Sequence, residues 1–297
     1  MKHHALTDII RRHYRKVRAH GRNLAGNFSE ENIHGFRLEV KKLRALLRMA
    51  AAADYASINP RLPQKLETFY TMTGLIRNLQ LQRKGLAELA QRERLELPAS
   101  CVAALGGRID IAIALAGLFL KTGRPFGRAP GSWMASLPAP VADAAGREFL
   151  RRKMKLFPLP AREEIRDEEH LHMLRKALKD ILYVWPYLSE KILRRAQSQG
   201  LYPKETIRNC AALLGEFRDV CIRLTLLQDE KFQLCAGPGA RSFLETAGRV
   251  WRQDKETLLD KIGGILLPGE EAFDQESPEN PLSPINLNAE SYELHVD

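Results

Sequence analysis

The residues best suited to chemistry in this sequence are a histidine and a row of cations. His34, Arg37, Lys41, Arg44 and Arg48 recur at steps of three and four within 33–50, which places them on one stripe of an α-helix. Such a row suits an anion carrying several charges. Arginine offers a planar pair of donors, lysine a mobile charge, and histidine becomes a second donor when protonated. Ile33, Phe36, Val40, Leu43 and Leu47 follow the same steps one residue earlier, about 100° round the helix. The basic stripe therefore borders the seam by which this helix packs. Glu39 is the only acid between His34 and Arg48 and is expected to point away from the stripe. Like charges on successive turns repel, so an anion outside the helix would relieve them; a solvated face is the plainer alternative.

The pattern returns 138 residues later. Leu171, His172, Leu174, Arg175, Leu178, Lys179, Ile181 and Trp185 match Ile33, His34, Phe36, Arg37, Val40, Lys41, Leu43 and Leu47 in character. Lys176 and Tyr183 stand nearby, while Leu182 and Pro186 replace Arg44 and Arg48. Downstream, Gly-Leu-Ile-Arg-Asn at 74–78 matches Gly-Glu-Phe-Arg-Asp at 215–219, at an offset of 141. Two ordered matches at nearly equal offset predict an internal repeat of about half the chain.

These residues carry a family resemblance. His34-x-x-Arg37-x-x-x-Lys41-Lys42-Leu43-Arg44, with His172-x-x-Arg175-x-x-x-Lys179, resembles the signature of the CHAD family, the conserved-histidine α-helical domain. Leu-Leu-Gly-Glu-Phe-Arg-Asp at 213–219 is similar to its second motif. The resemblance covers about 1–266. It implies an all-α protein whose two pseudo-symmetric helical bundles meet at a basic cleft or pore and bind inorganic polyphosphate, in many members at polyphosphate granules. No Glu-x-Glu-x-Lys motif is present, so the triphosphatase domain that accompanies some members is not expected. The second copy departs from the pattern, with Asp180 in place of Lys42 and Leu182 in place of Arg44.

Pattern and resemblance together nominate a polyphosphate-binding set. It comprises His34, Arg37, Lys41, Lys42, Arg44 and Arg48 from the first motif helix, and His172, Arg175, Lys176 and Lys179 from the second. Arg77 and Arg218 come from the second motif, although Arg218 could equally pair internally with Asp219. Arg151, Arg152, Lys153 and Lys155 could make up for the shorter second row. His3, His4, His13 and His20 read as surface residues.

The elements that must position this set are helices throughout. The spacing predicts them near 4–24, 30–50, 64–94, 100–121, 141–156, 162–185, 187–199, 203–234 (with a break) and 240–266. Ser29 with Glu30 and Glu31 supplies an N-cap for the first motif helix. Gly and Pro between 123 and 140 mark a connector between half one (about 1–122) and half two (about 141–266). Segment 101–120 is the most apolar, but Arg108 and Asp110 interrupt it, so a core helix is expected rather than a membrane span. No alternating strand pattern stands out.

Composition narrows the function classes. The 297 residues carry a formal charge of +10. The eight acids after Leu267, with no Lys or Arg among them, read as a disordered acidic tail at 267–297 and leave +18 on the remainder. A body that basic suits polyanions such as nucleic acid, an anionic membrane or phosphate polymers. Aromatics make up 7% and do not interleave with the first basic row, which disfavours single-stranded RNA, the main alternative partner. No Walker loop, metal cluster or activated nucleophile stands out, so no cofactor, no metal and no catalytic residue is nominated. An enzyme acting on phosphoesters or polyphosphate is the lesser alternative. Cys101, Cys210, Cys221 and Cys235 form no CxxC pair, as befits a reducing compartment, and the N-terminus lacks a signal-peptide run. A cytoplasmic location is expected.

Overall fold

The computed structural model describes residues 4–52, 61–126, 142–156 and 167–266. Among them every regular element is helical. They are α1 (His4–Asn23), α2 (Glu30–Ala52), α3 (Gln64–Glu93), α4 (Ala99–Gly123), α5 (Ala142–Met154), α6 (Glu168–Val184), α7 (Glu190–Gln197), α8 (Lys204–Leu227), α9 (Glu230–Ala236) and α10 (Arg241–Leu266), with 3₁₀ turns at Trp185–Tyr187 and Pro238–Ala240. The tail, the connector from 127 onward, His3 and residues 162–166, where the second motif helix was expected to begin, lie outside the described residues.

Local chemistry sets the helix ends. Ser29 Oγ accepts from the Asn32 amide at 3.2 Å, and Asp167 caps α6 through the Glu169 amide at 2.9 Å. The expected break within 203–234 falls at Gln228–Asp229, where Asp229 accepts from the Phe232 amide at 3.0 Å and starts α9. Each cap satisfies an amide that the first helical turn leaves without a partner.

Four helices close a ring at the centre. α2 packs on α3 and α6, and α8 packs on the same two. α1 lies against α2, α10 against α8 and α4 against α3, while α5 braces α2 and α6. The apolar stripes supply the filling. Ile33, Phe36, Val40, Leu43 and Leu47 are at most 1% exposed, and Leu171, Leu174, Leu178 and Ile181 at most 4%. Phe36, Phe69 and Phe126 pack edge to face at 5.3–5.8 Å between centroids, a geometry that sets ring edges against ring faces.

Two expectations are corrected. His13 is buried, not on the surface: it is 3% exposed, 3.0 Å from Glu39 Oε2 and 2.8 Å from the Tyr187 hydroxyl. Its position between Ile10 and Tyr14 on the apolar stripe of α1 carries it inward, and its two polar neighbours make the burial tolerable. Glu39 is turned from the basic row as expected; it is buried and also accepts from Lys42 at 2.6 Å. α4 is not a buried core helix. Cys101, Leu105, Ile109, Ala112 and Ala116 face inward, whereas Ile111, Leu115 and Leu118 are 64%, 54% and 59% exposed. By length and composition α4 could cross a membrane.

Candidate anion-binding site

The first motif helix and α3 build a seat for Arg37. Its Nη1 donates to the Tyr70 carbonyl at 2.7 Å and lies 3.4 Å from Thr73 Oγ1. Its guanidinium carbon sits 4.3 Å from the centroid of the Tyr70 ring, and that of Arg44 sits 4.2 Å from the same ring. Such contacts attract a cation to the negative face of the ring. A Cβ added to Gly74 would fall 2.8 Å from Arg37 Nη1, so this glycine leaves the space that the guanidinium fills. Gly215 on α8 stands similarly beside Arg175, its would-be Cβ 4.0 Å from Nε.

Lys41 joins the two motif helices. Burial, with Arg37, Arg175 and Lys179 nearby, pushes its amine down to about 8, while Asp219 acts in the opposite sense. Lys179 is lowered by burial and by Arg175, and Arg37 by burial, with Arg44 and Arg77 adding to it. Asp219 is the carboxylate set among these cations. Burial raises its pKa in spite of Arg175, Arg223, Arg77 and Lys41. Cations crowded in a sheltered space repel one another and lose hydration, and both effects favour the neutral form.

The two histidines lie at the margins. His34 is exposed overall, yet partial shielding together with Arg77 and Lys41 holds its pKa below 6.5. His172 is lowered by burial and by Lys176, Arg218 and Arg175. His172 Nδ1 and Arg175 Nε are buried with no hydrogen-bond partner, and such orphaned groups suit a ligand from outside. Arg218 does not pair internally with Asp219. It lies toward His172 and Glu168, whereas Asp219 is turned to Arg175, Arg223, Arg77 and Lys41.

Other nominated cations already hold carboxylates, which corrects the expectation that nothing offsets the first basic row. Arg44 binds Glu67, and Arg77 binds Glu30 at 3.0 Å. Arg48 grips the buried Asp180 through two nitrogens at 2.9 and 2.6 Å, and Lys153 reaches the same carboxylate at 2.7 Å. Asp180, the departure from the motif, thus binds the end of the row that its own helix lacks. Arg151 and Arg152 both hold Glu148 at 2.7 Å on α5, on the side facing α7. Lys155 is exposed beyond α5, and Lys176 is exposed beside Met173. The structure therefore brings together Arg37, Lys41, Arg175 and Lys179, with the histidines, Arg44, Arg77 and Arg218 around them. Arg48, Lys42, Arg151 and Arg152 are engaged elsewhere.

Sequence reasoning missed Tyr70, and named Tyr183 only as a neighbour of the second basic row. Tyr183 is sheltered enough that its phenol is raised, with Arg175, Tyr70 and Asp180 within electrostatic reach. The i, i+4 relation of Tyr70 to Gly74 was the signal that could have found it. Among the described residues no cluster of His, Cys, Asp and Glu could hold a metal ion.

Comparison with known proteins agrees with this architecture. No curated protein matches the chain. Among solved structures, the crystal structure of the CHAD domain from the plant Ricinus communis superposes with a TM-score of 0.58 at 16% identity, covering 89% of this chain and 91% of that one. A likeness at that identity speaks for the fold. The family model of the CHAD domain matches residues 8–228, and with three quarters of the sequence inside that match, the chain belongs to the CHAD domain family.

Proposed function

We propose that this protein binds inorganic polyphosphate at a basic cleft between its two motif helices, the two halves being related by an internal pseudo-two-fold. One observation carries the reading: Lys41 of α2 shares a sheltered space with Arg175 and Lys179 of α6, residues 134 and 138 positions away, with Asp219 acting in the opposite sense on Lys41. A site of that kind costs stability unless an anion occupies it. His172 Nδ1 and Arg175 Nε, buried without a hydrogen-bond partner, lie beside it.

A phosphate polymer fits the arrangement better than nucleic acid does. Each unit of polyphosphate carries charge and offers no base to read. The aromatic ring at the centre, Tyr70, already carries the guanidiniums of Arg37 and Arg44, so it does not stand free for a base to stack upon. Binding without hydrolysis is the proposed activity, since among the described residues no nucleophile with an activating base accompanies the cations. The cytoplasm, and polyphosphate granules within it, is the location this reading implies.

Titration with polyphosphate of defined length at two ionic strengths tests the proposal. Binding should weaken steeply with salt, because bound counterions are released on association. Replacing Arg37, Lys41 and Arg175 with Ala should lower affinity by at least about 100-fold, or about 2.7 kcal/mol, with helicity retained. RNA should compete poorly, and no phosphate should be released. Equal affinity for RNA, or binding unaffected by the triple substitution, would discard the site.

A further inference from the structure

The outer face of α4 is the largest feature that anion binding does not use. The buried side of this 25-residue helix is narrow, and 22% of its most apolar window is buried. Ile111, Leu115 and Leu118 lie within an arc of about 60° that borders this buried side, roughly 110° round the helix from its centre, and are more than half exposed. Scattered apolar residues on a surface are ordinary, but a contiguous row of large ones marks a contact. Ala103, Gly107 and Ala114 flank the row and are exposed, and a Cβ on Gly107 would meet nothing within 4 Å.

We propose that this face joins a second copy of the chain, α4 against α4 and antiparallel. The charges beside the row select that partner. Asp110 and Lys121 are both exposed, and eleven residues of helix return to nearly the same angle, so they share one border about 16 Å apart. In an antiparallel pair related by a two-fold axis, each border meets itself. Asp110 then faces Lys121 of the second copy, and Lys121 faces its Asp110, with the three large side chains between them. In a parallel pair each border would meet the opposite border instead, and Asp110 would not face Lys121. Insertion into lipid is opposed by the ion pair of Arg108 with Asp229 at 2.7 Å, which ties α4 to the residue that caps α9. Contact along four to five turns covers roughly 500 Å² per copy, about 1,000 Å² in all, the lower bound for a specific interface.

Sedimentation velocity of the full chain, from low to high micromolar at moderate salt, reads this directly and needs no polyphosphate. Wild type should pass from monomer to dimer, and Leu115→Glu should remain monomeric with an unchanged circular dichroism spectrum. Ile111→Gln, at the most exposed position, is the milder check should the charge disturb the helix. Asp110→Lys should weaken the dimer about tenfold, and adding Lys121→Asp should restore it. A wild type monomeric at every concentration overturns the proposal, as does a dimer indifferent to both Leu115→Glu and Ile111→Gln. Failure of the charge-reversed pair to recover overturns the antiparallel arrangement. Leu115-dependent flotation of monomer with neutral phosphatidylcholine vesicles would make lipid the occupant instead.

Discussion

Gly74 shows at the scale of one residue how a helix can make room for a cation. Alanine is the better helix former by about 1 kcal/mol, so glycine here gives up helix stability for the space that Arg37 Nη1 takes. Gly74→Ala should push the guanidinium off the Tyr70 carbonyl, since the tip of a flexible side chain yields before backbone does. We expect thermal stability to change little and polyphosphate affinity to fall about tenfold, some 1.4 kcal/mol, which scanning fluorimetry and titration together would reveal. Lys41 sets a pH dependence. With its amine at about 8 when free, a bound anion raises that value and binding takes up a proton. Affinity should therefore decline as pH rises from 7 to 9, and Lys41→Arg should flatten the decline because arginine stays charged. Stability without ligand runs the other way. The folded pKa lies below the unfolded value, so the unfolded chain holds more protons between about 8 and 10.5, and Lys41 makes folding more favourable as pH climbs through that window. A Lys41→Met comparison by urea denaturation at pH 7.5 and 9.5 measures it.

At the scale of elements, buried polar groups act as clips between helices. Asp180 joins α6 to Arg48 of α2 and Lys153 of α5. His13 joins α1 to Glu39 of α2 and to Tyr187 beyond α6. Removing one partner of such a pair leaves the others without an acceptor. Asp180→Ala should destabilise the fold by about 2 kcal/mol, a figure held down because the Arg48 side chain is 41% exposed; the urea midpoint would report it. The same substitution releases two cations, so polyphosphate affinity should hold or rise. A fall in affinity at constant stability would mean that Asp180 positions the site as well.

Across the whole molecule, charge is segregated along the chain. The eight acids of 267–297 set a polyanion against a body of +18, and a covalent competitor acts at high effective concentration. Ending the chain at Leu266 should raise polyphosphate affinity several-fold at low salt and change nothing at high salt, where screening removes the competition. Equal affinities at low salt would show that the tail takes no part.

The sequence by itself determined the helices, the apolar stripes and the family. Periodicity and capping are local, and Ile33 to Leu47 or Asp229 act through neighbours a few residues away. It also picked out Arg37, Lys41, Arg175 and Lys179, because identical spacing in two helices needs no knowledge of how they pack. Tertiary structure alone decided which cations stay unpaired. Glu67 and Asp180 reach the basic row, and Glu30 reaches Arg77, only across helix contacts, and Tyr70 and Asp219 enter the site from other helices. Pairing depends on distances of a few ångströms between segments far apart in the chain, and no pattern within one helix encodes those.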